Sequence, residues 1–314
     1  MATVPERFPD SLGLVAASLD EPANIRRAAA DAALIDIPTD PPLVAVTGVG
    51  LGMLAARATA ALVAPGAPCP VLVLGAAEAS GRLPADSLIL DMGGGDVAGA
   101  VPVPGGPEGM GERLGLAARV VAGVRLAAAA GTTGETSAEQ VADSLDARMA
   151  AHARSGTAER LVGSIGRTLP LIHAGGPVGA AIADYWKFQA NLHGKVAAWT
   201  AATPALAHDE VCSWGQHGDV TRQVFTALML RGGYESVVAA EQLARYSGLL
   251  DELVASVHAV RAGGTGAPGD GTDPAGGPLA DLCELAVLGE QVGLGLALAE
   301  GYDPAPAPGL QWRV

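Results

Sequence analysis

The second half of the chain holds a dense run of polar side chains, several of which can take up or release a proton. Asn191, His193 and Lys195 stand together, and His208, Asp209 and Glu210 follow a short way on. A histidine titrates near neutral pH and suits general acid or base work, so His208 is a candidate catalytic residue. Lys195 and Glu210 are candidate ligand-binding residues, with a plain structural pair as the alternative. His193 is a second candidate base, although a helix would turn it away from its neighbour at position 192. His217 and Asp219 read as a surface turn.

Two glycine clusters offer a different chemistry. Gly48, Gly50 and Gly52 form one, and Gly93, Gly94 and Gly95 the other, flanked by Asp91 and Asp96. The amides of a glycine turn between strand and helix can approach an anion or a hydroxyl closely, which makes all six glycines candidate ligand contacts. Carboxylates beside the second turn repel an anion, so it either binds nothing anionic or works through amides alone. The first turn is not a dinucleotide fingerprint: its third glycine comes one residue early, and no acid follows where the ribose contact belongs. The run from Thr132 to Thr136 carries hydroxyls and a glycine, but reads as the lead-in to a helix. Cys69, Cys212 and Cys283 lie far apart with no paired spacing, so free thiols, no metal and no cofactor are expected. No Gly-x-Ser-x-Gly elbow or HExxH is present, which leaves out a nucleophilic hydrolase and a metalloprotease.

The elements that must position these groups repeat. An apolar strand at 43–46 runs into the first glycine turn and a helix at 53–62. A strand at 169–173 runs into Gly175-Gly176 and a helix at 180–189. Further strands are expected at 71–74, 88–90, 100–103, 225–230 and 257–261. Helices are expected at 25–35, 117–130, 237–250 and 279–300, with another led in by Thr136 and Ser137. Strands alternating with helices imply parallel sheets covered on both faces. The expected fold is α/β, with a lead-in at 1–40, one subdomain at 41–156, a second at 157–302 and a tail at 303–314. The Gly/Pro/Asp run at 263–277 reads as a surface loop.

Net charge is −14, which argues against nucleic acid or an anionic membrane as partner. No leader sequence or membrane span is expected, which points to the cytoplasm. An acidic surface does not steer an anionic ligand, so any anion site must be local.

The stretch from Tyr185 to Trp214 resembles the second half of the bifunctional phosphoglucose/phosphomannose isomerases, which are built from sugar isomerase (SIS) domains. Trp186-Lys187, Gln189, Asn191 and Lys195 match that family's RWKxQxNENAK pattern. His208, Glu210 and Trp214 match its NHNExxGW pattern. The resemblance covers roughly 160 to the C-terminus and is faint before that. It implies two SIS-type subdomains, each a parallel sheet with helices on both faces, and a homodimer with its site where subdomains and subunits meet. It implies aldose–ketose isomerisation of glucose 6-phosphate or mannose 6-phosphate to fructose 6-phosphate, with His208 helping to open the ring. The family's base is a glutamate, and here that position is Leu192. The family's phosphate loop carries Ser and Thr hydroxyls, and here it is reduced to Gly93-Gly94-Gly95. Activity is therefore expected to be impaired, with a non-catalytic sugar-phosphate-binding or regulatory protein as the alternative. A reduced actinobacterial branch, of the type labelled TobH, looks similar.

Overall fold

Two four-stranded parallel sheets of the same strand order carry the chain. The computed structural model describes residues 10–81, 83–215, 218–263 and 277–307. Most of the expected loop at 263–277, along with His217 and the end of the tail, therefore lies outside the described residues.

Helices α1 (Leu14–Leu19) and α2 (Glu21–Ala32) lead in, the second started by Pro22 in its first turn. In the first subdomain come β1 (Val44–Thr47), α3 (Leu51–Val63), β2 (Val71–Leu74), α4 (Ala76–Ala79), β3 (Leu88–Asp91), β4 (Val101–Pro102) and α5 (Leu116–Ala129). Helix α6 (Ala138–Ser155) joins the two halves. The side chain of Ser137 caps it by accepting from the Gln140 amide at 3.3 Å. The second subdomain runs α7 (Thr157–Ile165), β5 (Leu169–Gly175), α8 (Gly176–Leu192), β6 (Trp199–Thr203), α9 (Gly218–Val224), β7 (Phe225–Arg231), α10 (Val237–Leu250), β8 (Ser256–Arg261) and α11 (Gly277–Ala299). The sheet orders are β2-β1-β3-β4 and β6-β5-β7-β8, so the two halves are copies of one plan.

The copies differ in one place that matters. Helix α10 follows β7 and covers the outer face of the second sheet, where Leu171, Ala227 and Met229 are buried against Leu243, Tyr246 and Leu250. No helix stands between β3 and β4; residues 92–100 cross directly. The outer face of the first sheet is left with the four-residue α4, and Leu72 on it is 39% exposed. The first half therefore has no counterpart of α10, and no helix N-terminus directly follows the loop after β3.

Helix α11 is apolar on every side because it is buried on every side. It packs against α5, α6, α7 and α8. By length and composition it could cross a membrane, but most of it lies inside the fold. Each fully buried leucine, such as Leu282, Leu285 and Leu288, contributes roughly 1.5–3 kcal/mol. Gly289 and Gly293 let α8 approach closely. A Cβ on the first would meet the Trp186 indole nitrogen at 2.7 Å, and one on the second would meet the Gln189 carbonyl at 2.8 Å.

The charged residues of α11 face a buried partner rather than water. Arg148 Nη1 bonds Asp281 at 2.7 Å and Glu284 at 2.8 Å, and His152 Nε2 meets Glu284 at 2.6 Å. The same carboxylates accept the Gly233 and Gly263 amides at 2.7 and 2.8 Å, fastening the loops after β7 and β8. Burial pushes the Glu284 carboxyl up, but His152, the Gly263 amide and Arg148 outweigh it and hold it below the usual range. Removing the cation strands two buried carboxylates. Arg148→Met is expected to destabilise the chain by about 3 kcal/mol or more, read from the urea midpoint. A loss under about 1 kcal/mol would contradict this role.

Candidate functional site

A hollow of about 570 Å³ with polar walls lies between the loop before α5 and the C-terminal tail. Gly111, Glu112, Arg113 and Arg119 line one side, and Ala305, Pro306 and Ala307 the other. In a chain of net charge −14 this is a local concentration of cation. Among the described residues, neither Arg113 nor Arg119 stands within ion-pair distance of a carboxylate. Arg119 donates to the Met92 carbonyl at 2.6 Å and the Gly111 carbonyl at 2.7 Å, and its buried Nε has no partner. Burial pulls its pKa down, while the nearby Tyr185, Glu21 and Asp91 hold it up.

Arg119 ties the cavity to both glycine turns. A Cβ on Gly93 or Gly105 would overlap the guanidinium arm, and one on Gly111 would sit 2.6 Å from Nη2. The Gly93 carbonyl accepts from the Val49 amide at 3.0 Å, and a Cβ on Gly52 would lie 2.5 Å from that same carbonyl. A Cβ on Gly48 would strike the backbone of Gly52, and Gly50 has φ 57°. Gly48, Gly50 and Gly52 thus have structural reasons of their own: a tight turn, with a second turn pressed against it.

The second turn is occupied by the chain itself. Gly93 and Gly94 have φ 126° and 75°, which curls the loop around the end of β3. There Asp91 Oδ1 accepts the Gly93 amide at 2.9 Å and the Gly95 amide at 3.3 Å. The carboxylate sits where the amides would have received an anion. The loop after β7 shows the same habit, with Asp281 on the Gly233 amide.

The remaining candidates divide into two places. Lys195 stands by the cavity, but its ammonium donates to the Leu192, Pro304 and Pro306 carbonyls at 2.6, 3.2 and 2.5 Å. His193 is fully buried and holds the Pro304 carbonyl through Nδ1 at 3.2 Å. A carbonyl only accepts, so the neutral ring carries its proton on Nδ1. Burial lowers its pKa to about 4. Leu192, half-buried, ends α8 without reaching the cavity wall. His208 and Glu210 lie elsewhere, on the short turns after β6. Glu210 pairs with the buried His173 at 2.8 Å and accepts from Tyr246 at 3.0 Å, while the neighbouring His208 is exposed. Neither lines the cavity.

Arg113 and Arg119 were not singled out by the sequence. Arg119 and Arg125 are the two basic residues in an Ala/Val/Leu helix, and that interruption was the available signal. Behind it two acids are fully buried at the start of α5. Glu290 accepts from the Tyr185 hydroxyl and the Gly115 amide, and Glu21 accepts the Ala118 amide at 2.8 Å. Burial first, and then the charge of Glu21, pushes the Glu290 carboxyl well above the ordinary range. Among the described residues, no cluster of His, Cys, Asp or Glu could hold a metal ion.

Residues 154–311 match the family described as the bacterial phospho-glucose isomerase C-terminal SIS domain. No curated protein matches the chain. Among solved structures it resembles a phosphosugar isomerase from Clostridium difficile 630, with 12% identity over 95% of this chain and 96% of that one, and a TM-score of 0.68. It resembles glucosamine-6-phosphate deaminase from Thermotoga maritima, with 10% identity over 94% and 97%, and a TM-score of 0.64. It also resembles a glucose-6-phosphate isomerase-like protein from Thermus thermophilus, with 17% identity over 95% of each chain and a TM-score of 0.52. These likenesses speak for the fold of paired parallel sheets, and the family match covers half of the 314 residues. The chain belongs to the bacterial phospho-glucose isomerase C-terminal SIS domain family.

Proposed function

We propose that this chain binds a phosphorylated hexose in the cavity beside Arg113 and Arg119 and does not isomerise it. The observation that carries this reading is the lining itself. Two arginines without carboxylate partners offer an anion a seat, and the single carboxylate among the described lining residues is Glu112, exposed at the rim. Moving a proton between two sugar carbons needs a base held against the carbon and shielded from water. Leu192 replaces the family glutamate, and His193 is buried with its proton committed to Pro304. The loop whose amides would hold the phosphate is filled by Asp91, which leaves the arginines to hold it instead.

The reading includes a cytoplasmic homodimer. His208, exposed and outside its own chain's cavity, then has the cavity of a second copy as its place of work. Light scattering at micromolar concentration checks the dimer. A second reading, slow isomerisation with Glu112 as substitute base, is favoured by that residue's place in the lining.

A coupled assay with glucose 6-phosphate and with mannose 6-phosphate separates the two readings. Loss of a positioned base costs about 10²–10⁴-fold in rate, so no turnover above background is expected. Leu192→Glu is expected to stay silent as well, because Asp91 still fills the loop. Turnover near about 1 s⁻¹ that vanishes in Glu112→Gln would establish the second reading instead.

His193 gives an independent check. Its pKa in the folded chain is about 4 against an ordinary 6.5, so it stays neutral where the unfolded chain takes up a proton. Stability is therefore present above pH 6.5 and lost as pH falls toward 4, by an amount on the order of 3 kcal/mol. His193→Asn is expected to flatten the stability curve across that window. An unchanged slope would mean that His193 is solvated and available as a base.

A further inference from the structure

Residues 303–307 are held over the cavity by three side chains from outside the tail. His193 and Lys195 hold the Pro304 carbonyl at 3.2 Å each, Arg113 Nη1 holds the Ala305 carbonyl at 2.7 Å, and Lys195 holds the Pro306 carbonyl at 2.5 Å. Prolines supply carbonyls but no amide donors, so this segment is gripped by donors that belong to other elements. Pro304 and Ala305 are buried, while Pro306 is exposed and Ala307 half-buried. Ala305 is anchored by packing against Leu14, Leu114 and Leu294, and Pro306 and Ala307 depend on exchangeable hydrogen bonds. Lys195, which donates to the Pro304 and Pro306 carbonyls, has φ 58°, a left-handed conformation uncommon outside glycine.

One of these grips conflicts with a ligand. Arg113 lines the cavity, and one of its two terminal nitrogens, Nη1, is already given to the strap. A guanidinium recognises a phosphate best with two parallel donors, and a phosphate held across the two terminal nitrogens of Arg113 competes with the Ala305 carbonyl for Nη1. We propose that residues 303–307 form an autoinhibitory strap that competes with an anionic ligand for Arg113. Ligand binding and strap release are then one equilibrium, and a loosened strap raises apparent affinity because more of the chain is competent to bind. This rests on the phosphohexose reading for the identity of the ligand; the competition itself does not.

The test uses the full chain and follows hydrogen exchange at the Ala305 and Ala307 amides together with binding of fructose 6-phosphate. In wild type, the sugar phosphate is expected to speed exchange at these amides. Lys195→Met, which unfastens the strap while leaving Arg113 and Arg119 in place, is expected to speed exchange without ligand and to bind fructose 6-phosphate about tenfold more tightly. Lys195→Arg, keeping charge and donors, should behave as wild type. Slower exchange in wild type on adding ligand, or weaker binding by Lys195→Met, overturns the proposal and makes the tail or Lys195 part of the binding surface. Should fructose 6-phosphate bind neither protein, the ligand assignment fails. Inorganic phosphate then decides the strap: tighter binding by Lys195→Met upholds it, and equal affinity or none overturns it.

Discussion

A half-buried guanidinium with only carbonyls for partners governs the layout of the first subdomain. Arg119 carries a charge that burial disfavours, and it is tolerated because the Met92 and Gly111 oxygens, which turn toward it, meet two of its donors. The oxygens can approach because Gly93, Gly105 and Gly111 have no side chains to keep them away. The loop after β3 and the loop before α5 are thus drawn to one point, and the cavity is the space left between that point and the tail. Glu21 and Glu290 lie behind the same helix start and accept amides otherwise without partners, although burial raises both carboxyls above the ordinary range.

A common pattern runs through the loops after β3 and β7 and the C-terminal tail. Asp91 occupies the amides after β3, Asp281 the amide after β7, and the tail carbonyls occupy Arg113 and Lys195. Such self-occupation stabilises the ligand-free chain, since each donor keeps a partner without outside help. It also sets a threshold, because a ligand gains only what exceeds the internal bond it displaces. Without a helix between β3 and β4, the first loop also has no helix dipole of its own to draw an outside anion to it.

Much of the fold could be read from spacing. Strand, glycine turn and helix recur at 43–62 and 169–189, and both copies form as the period suggests. Strand β6 escaped notice because Trp199-Thr-Ala-Ala-Thr203 has small residues where a strand usually shows branched ones. The expected strand at 100–103 shrank to Val101–Pro102, since proline cannot donate to a ladder. The site was less legible. Repulsion of an anion by Asp91 followed from its charge, but its seat on the Gly93 and Gly95 amides needed the loop's dihedrals. Glu210 gave no sign of its partner His173, which is distant in sequence. Arg113 and Arg119 resembled ordinary solvated positions, because a cation held by backbone carbonyls leaves no complementary acid in the sequence to announce it.

The arginine-lined cavity acts in this protein as an anion seat or has no ligand role. Calorimetric titration of the full chain with fructose 6-phosphate, in wild type and in Arg113→Met, decides between the two most directly. Saturable binding is predicted in wild type, weakening as salt is raised, and falling by about tenfold or more in the variant, as loss of a charge-assisted contact requires. Absence of saturable binding, or equal affinity in the two proteins, would contradict the anion seat.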